Sequence, residues 1–165
     1  MLNLFFQQPT TDFQLRQMSR LAKIAPPSTK KYINALITEG IIAKSNKGIY
    51  PLYRAVRDGQ FFKALKKWSL IRELTLNGFT NNIVELCSPD PIILFGSGNR
   101  GEDIECSDID IAVIAEESTL SLKKYETLLH RKISLLFVKK YSELSKELKN
   151  NIVNGSILYG YLKVF

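Results

Sequence analysis

One stretch, residues 92–114, limits the possible folds of this chain more than any other. An apolar run, Ile-Ile-Leu-Phe, breaks at Gly96-Ser97-Gly98, and a second, Ile-Asp-Ile-Ala-Val-Ile, begins after Asp108. Short apolar runs bounded by turn residues read as strands of a buried sheet. Glycines let the backbone turn sharply and let a ligand come close. Successive backbone N–H groups in such a turn form a concave anion site, and the Ser97 hydroxyl can donate to a phosphate oxygen. Alternate strand residues face the same way, so Asp108 and Asp110 are expected side by side, with Ile109, Ile111 and Val113 turned inward. Two carboxylates this close repel, and a cation between them relieves the repulsion. Mg²⁺ suits the pair (Mn²⁺ also), because it takes oxygen ligands and typically combines one or two carboxylates with substrate phosphates. A sheet end that holds both phosphate and metal suits phosphoryl or nucleotidyl transfer.

The rest of the chain narrows the classes. At 165 residues it has room for one domain or two small ones. Its 45% hydrophobic and 24% charged content is that of an ordinary globular protein. No apolar run approaches the ~18 residues of a membrane span. The N-terminus has no cationic start followed by a signal-type apolar segment, so a cytoplasmic protein with no membrane contact is expected. The two cysteines, Cys87 and Cys106, form neither a disulfide framework nor a zinc pair and are expected as reduced thiols. His130 is the only histidine, which argues against histidine metal centres and histidine-driven triads.

Charge is unevenly spread. The chain carries a formal +7, and residues 1–55 hold eight cationic against two acidic side chains, a net +6. A basic N-terminal third is expected to meet a polyanion. Helices are expected over residues 1–8, after the cap candidates Thr10, Thr11 and Asp12, and from about 27 to 39. Phe13, Leu15, Met18 and Leu21 are the apolar positions of the second, and Tyr32, Ile33, Leu36 and Ile37 those of the third. Gly40 stands where a helix end favours glycine. Residues 41–43 and 49–53 then read as short strands around a basic tip, Lys44-Ser45-Asn46-Lys47-Gly48.

This pattern over residues 13–54 resembles the winged helix-turn-helix family. The resemblance implies that the third helix enters the major groove of double-stranded DNA and that the wing touches the backbone. Ser28 and Thr29 would then donate to phosphates, Lys30 and Lys31 would neutralise phosphates or reach guanine, and Asn34 would pair with adenine. Thr38 completes the expected exposed set, and Lys44 and Lys47 would serve the wing. A winged-helix domain over 1–57 and a second domain over 58–165 are expected. Such modules often pair, so a homodimer stays open beside the monomer.

In the second domain a long helix is expected over 60–77, with Phe61, Ala64, Leu65, Trp68 and Ile71 on its packed side. Further helices are expected over 81–87, about 120–131 and 141–153, and a strand over 133–138. Residues 157–162 are open between strand and helix end.

Gly96-Ser97, ten intervening residues and Asp108-Ile109-Asp110 together resemble the signature of minimal nucleotidyltransferases in the DNA polymerase β-like superfamily. Arg100-Gly101 and Ser107 agree with it. The resemblance implies an α/β (α+β) fold, a mixed sheet with helices on one face. It assigns Gly96, Ser97 and Arg100 to the nucleotide, and Asp108 and Asp110 to metal ions and catalysis. The expected reaction is Mg²⁺-dependent transfer of a nucleoside monophosphate, AMP from ATP in the first instance, to a protein or nucleic-acid hydroxyl. The family usually carries a third carboxylate on the next strand, and the equivalent position here holds Ser134. Serine is a poor Mg²⁺ ligand and no base at neutral pH. Asp103 and Glu105 are the candidates to replace it. The departure favours nucleotide binding over turnover. It keeps open a DNA-binding regulator with a weakened nucleotide-sensing domain, and an antitoxin whose helical toxin partner offers a tyrosine acceptor.

Overall fold

Two separate cores form along the chain, in units of residues 1–66 and 67–165. The computed structural model describes residues 1–45 and 49–163. The expected boundary at 57/58 lies nine residues before this division, because the first turns of a long helix pack with the N-terminal core.

The first unit runs α1 (Leu2–Gln7), β1 (Phe13–Gln14), α2 (Leu15–Ala22), α3 (Pro26–Thr38), β2 (Ile42–Ser45) and β3 (Leu52–Ala55). Its antiparallel sheet has the order β1-β3-β2. Phe5, Phe13, Met18, Ile33, Ile42, Tyr53 and Phe62 fill the core, with the Phe5 and Phe13 rings edge to face at 5.3 Å. Burial of Phe13 explains a departure from expectation. The residue pairs with Tyr53 as a strand, so the following helix begins only at Leu15. A Gln14–Gln17 capping box replaces Thr10, Thr11 and Asp12 at its start, and Asp12 instead pairs with Arg54 at 2.5 Å. Gly40 follows the end of α3 with φ of +69°, the left-handed geometry glycine tolerates.

The second unit takes up most of α4 (Gln60–Leu76), followed by α5 (Phe79–Cys87), β4 (Ile92–Phe95), α6 (Gly96–Arg100), β5 (Ile109–Ile114), α7 (Lys123–Leu129), β6 (Ile133–Val138), a 3₁₀ turn at Tyr141–Glu143, α8 (Lys146–Val153) and β7 (Ser156–Tyr159). The sheet order is β6-β5-β4-β7. β5 and β6 run parallel, while β4 is antiparallel to both of its neighbours, so the sheet is mixed as expected. On one face Ile92, Leu94, Ile109, Ile111, Val113 and Ile133 pack with Leu70, Leu74, Phe79, Ile83 and Tyr125 from α4, α5 and α7. On the other, Ile93 and Ala112 are covered by Ile152 and Leu148 of α8. Helices therefore occupy both faces, not one, because the chain returns across the second face before adding β7.

Three expectations need correction. The buried stripe of α4 is Phe62, Lys66, Leu70 and Leu74, spaced by four, while Phe61 and Trp68 are 54% and 67% exposed. A side chain one position away on a helix points about 100° around the axis, so a small phase error exchanges inside for outside. Tyr32 on α3 is likewise exposed at 52%. The helix expected over 141–153 breaks at Leu144, and Ser145 starts α8 by accepting a hydrogen bond from the Leu148 N–H at 3.3 Å.

Candidate active site

The two halves of the central motif, ten residues apart, meet through strand register. β4 and β5 pair with Phe95 opposite Asp110, so the residue after Phe95 sits against that carboxylate. That residue is Gly96, with φ of +69°. A β-carbon there would overlap Oδ2 of Asp110 and lie 3.0 Å from its Cγ. Glycine thus meets two demands at once, a left-handed backbone and a close carboxylate. Gly98 is less constrained, since its β-carbon would stand 3.0 Å from the flexible end of the Leu70 side chain.

Asp108 is exposed and Asp110 is half-buried at the mouth of the sheet. Burial raises the Asp110 pKa above the ordinary aspartate value and the neighbouring Asp108 charge raises it further, while Arg131 and Arg100 pull it back. The Asp110 carboxyl therefore feels the charge of Asp108. Ser97 is partly open beside them, and exposed Arg100 pairs with Glu102 at 2.8 Å.

The neighbouring strand settles what flanks the pair. β5 and β6 align Asp110 directly with Ser134, which is exposed. Parallel neighbours in register face the same side, so position 134 is where a third carboxylate would join the pair. Asp103 does not replace it. Its side chain is 3% exposed and tied to Arg131 at 2.5 Å. Among the described residues no group of three or more histidine, cysteine, aspartate or glutamate side chains could hold a metal ion. Two carboxylates and an open approach fit a Mg²⁺ that takes its remaining oxygens from phosphate and water.

Two residues that frame the site gave no signal in the sequence. Asn99, buried on α6, donates to the Asn154 carbonyl at 2.9 Å and accepts from the Ser156 hydroxyl at 2.7 Å, which ties the glycine turn to β7. Arg131, just ahead of β6, donates to the Ser107 carbonyl at 2.8 Å and the Asp108 carbonyl at 3.0 Å in addition to Asp103. Their partners are 23 to 57 residues distant, beyond the reach of any local pattern.

In the first unit Ser28, Lys30, Lys31, Asn34, Thr38 and Lys44 are exposed. Thr29 is not. It is fully buried and donates to the Ile24 carbonyl at 3.3 Å, which removes it from the expected DNA-contacting set. Lys47 lies outside the described residues.

Comparison with known families agrees with the geometry. Residues 81–161 match the family model described as polymerase beta, nucleotidyltransferase, and this part of the chain is similar to domains of that type. The match supports a general nucleotidyltransferase. No curated protein and no solved structure matches the chain. Among the described residues no helix is long and apolar enough to cross a membrane.

Proposed function

We propose that this chain binds a nucleoside triphosphate with Mg²⁺ at Gly96, Ser97, Asp108 and Asp110, transfers the nucleoside monophosphate to a hydroxyl with loss of the hydroxyl proton and release of pyrophosphate, and couples this to double-stranded DNA. The observation that carries the reading is the seat of Gly96 against the Asp110 carboxylate. It joins a phosphate turn to an acidic pair in one place, which neither half of the motif does by itself.

The chain's own groups divide the work. Backbone N–H groups at the turn and the Ser97 hydroxyl hold phosphate oxygens. Arg100 lies close enough to Asp110 to influence its charge and can neutralise a phosphate once released from Glu102. Asp108 and Asp110 hold the cation, which when bound neutralises phosphate charge and orients the reacting phosphorus. At position 134 a hydroxyl stands where a base would otherwise take the acceptor proton. The site is therefore better built for binding than for rapid turnover. ATP is the expected nucleotide.

Incubation with labelled ATP, Mg²⁺ and candidate acceptors tests the reading. Label should transfer to a protein or nucleic acid, and Asp108→Ala with Asp110→Ala should abolish both transfer and Mg²⁺-dependent nucleotide binding. Nucleotide binding that survives the double substitution unchanged would sink it.

A second reading, a DNA-binding regulator that senses nucleotide, is favoured by the first unit. Its order of helix, strand, two helices and hairpin, with sheet order β1-β3-β2, supports a winged helix-turn-helix, and exposed Lys30, Lys31 and Asn34 share α3. An antitoxin role, with a tyrosine of a helical toxin as acceptor, is compatible with both readings. Stable co-purification with a co-expressed helical partner, and label on its tyrosine, would select it.

A further inference from the structure

The loop between α6 and β5 carries Asp103, Ser107 and Asp108 to the mouth of the site and is built into neither a helix nor a strand. One side chain holds it from outside. The Arg131 guanidinium uses three nitrogens on three acceptors: Nη1 on the Asp103 carboxylate at 2.5 Å, Nε on the Ser107 carbonyl at 2.8 Å, and Nη2 on the Asp108 carbonyl at 3.0 Å. The ion pair is shielded, with Arg131 and Asp103 side chains 14% and 3% exposed. Within the loop, the Ser107 hydroxyl accepts the Ile104 N–H at 2.9 Å, and Ile109, the first residue of β5, donates its N–H to the Lys132 carbonyl at 2.9 Å. The last two residues before β5 are thereby fixed on both sides of the chain.

We propose that Arg131 is a positioning residue of the metal site, which sets the direction of the Asp108 carboxylate by holding the Ser107–Asp108 backbone against β6. This inference rests on the reading of Asp108 and Asp110 as metal ligands. Only a planar, multiply donating group satisfies three acceptors in this arrangement, whereas lysine carries a point charge on a flexible stem. Residues that orient metal ligands typically contribute roughly 10–100-fold to metal affinity. Charge alone works the other way, because a fixed cation beside two carboxylates repels Mg²⁺. The two effects therefore differ in sign.

The test is Mn²⁺ binding by electron paramagnetic resonance, with the melting temperature of each variant, on the full chain. Arg131→Lys keeps the charge and loses the fork, and Arg131→Met loses both. Weakening of Mn²⁺ affinity by roughly tenfold or more in both supports the proposal. Unchanged affinity in Arg131→Lys, or tighter binding in Arg131→Met, overturns it. Ile83→Val, in the core on α5, reports the effect of lost stability alone. If it weakens Mn²⁺ binding as much as Arg131→Lys at the same loss of melting temperature, the positioning role falls. Should neither Arg131 variant fold, Asp103→Asn removes the ion pair and keeps an acceptor. It should weaken Mn²⁺ binding measurably, and unchanged binding overturns the proposal. A wild-type chain whose Mn²⁺ binding is indifferent to Asp108→Ala would remove the metal-site reading itself and this inference with it.

Discussion

Gly96 and Asp110 occupy each other's space so closely that no side chain fits between them. The contact follows from register: Phe95 pairs with Asp110, and the turn that begins one residue later folds back over the carboxylate. Gly96→Ala should therefore destabilise the second unit by at least about 1–2 kcal/mol from the left-handed backbone alone. It should also displace Asp110 and reduce nucleotide binding. Thermal denaturation with titration of a fluorescent ATP analogue checks both effects. A variant with wild-type stability and affinity would mean that the turn relaxes freely.

Burial and Asp108 raise the Asp110 pKa, so ionising it opposes folding. A raised folded-state pKa favours the native state below the ordinary aspartate value, and that contribution fades as pH rises through the folded value. Asp110→Asn should consequently melt higher than wild type at neutral pH without metal, and the gain should vanish in strong acid. Metal binding has the opposite dependence, because the ligand must be ionised. Mn²⁺ affinity of the wild type should fall on acidification with a midpoint above that of a free aspartate, and Asp110→Asn should bind no Mn²⁺. Calorimetry across pH, with and without Mn²⁺, tests the signs.

Ser134 faces the same side as Asp110 on the adjoining strand. Ser134→Asp should tighten Mn²⁺ by roughly tenfold, the lower range for a well-placed supporting group. Without metal it should lower the melting temperature, since a third carboxylate adds repulsion. If ATP-dependent labelling also increases, the missing acid limits turnover. If affinity does not change, Ser134 is not at the metal.

Exposed Lys30 and Lys31 stand on α3 of the unit whose chain carries the basic excess. Replacing both with alanine should weaken binding to unrelated DNA sequences alike and lower the slope of log affinity against log salt by about two, one for each lost phosphate contact. Gel shifts over a salt series measure that slope. The α3 reading fails if the slope is unchanged.

The legible parts of this protein are those written in short range. The alternation around Asp108 and Asp110 named the inward residues Ile109, Ile111 and Val113, all buried. The glycines named the turn, and the family resemblance named Ser134. A period of two or a turn residue constrains its immediate neighbours, so it can be read from a few letters. Phase on a helix is harder to read. Apolar residues at Phe61 and Trp68 suggested one face of α4, but the cores took Phe62, Leu70 and Leu74 instead. Thr29 has the composition of a surface donor, but its buried hydroxyl turns to the Ile24 carbonyl.

By itself the sequence named the groups of the candidate site: a glycine-serine turn, two aspartates and a serine where the family resemblance led us to expect an acid. Tertiary structure alone decided how they are held. Strand register brought Gly96 onto Asp110. Arg131 was drawn to Asp103, Ser107 and Asp108 from beyond α7, and Asn99 to β7. Each of these is a contact between distant segments, selected by burial and by the need of buried polar groups for partners, and neither cause leaves a local mark in the chain.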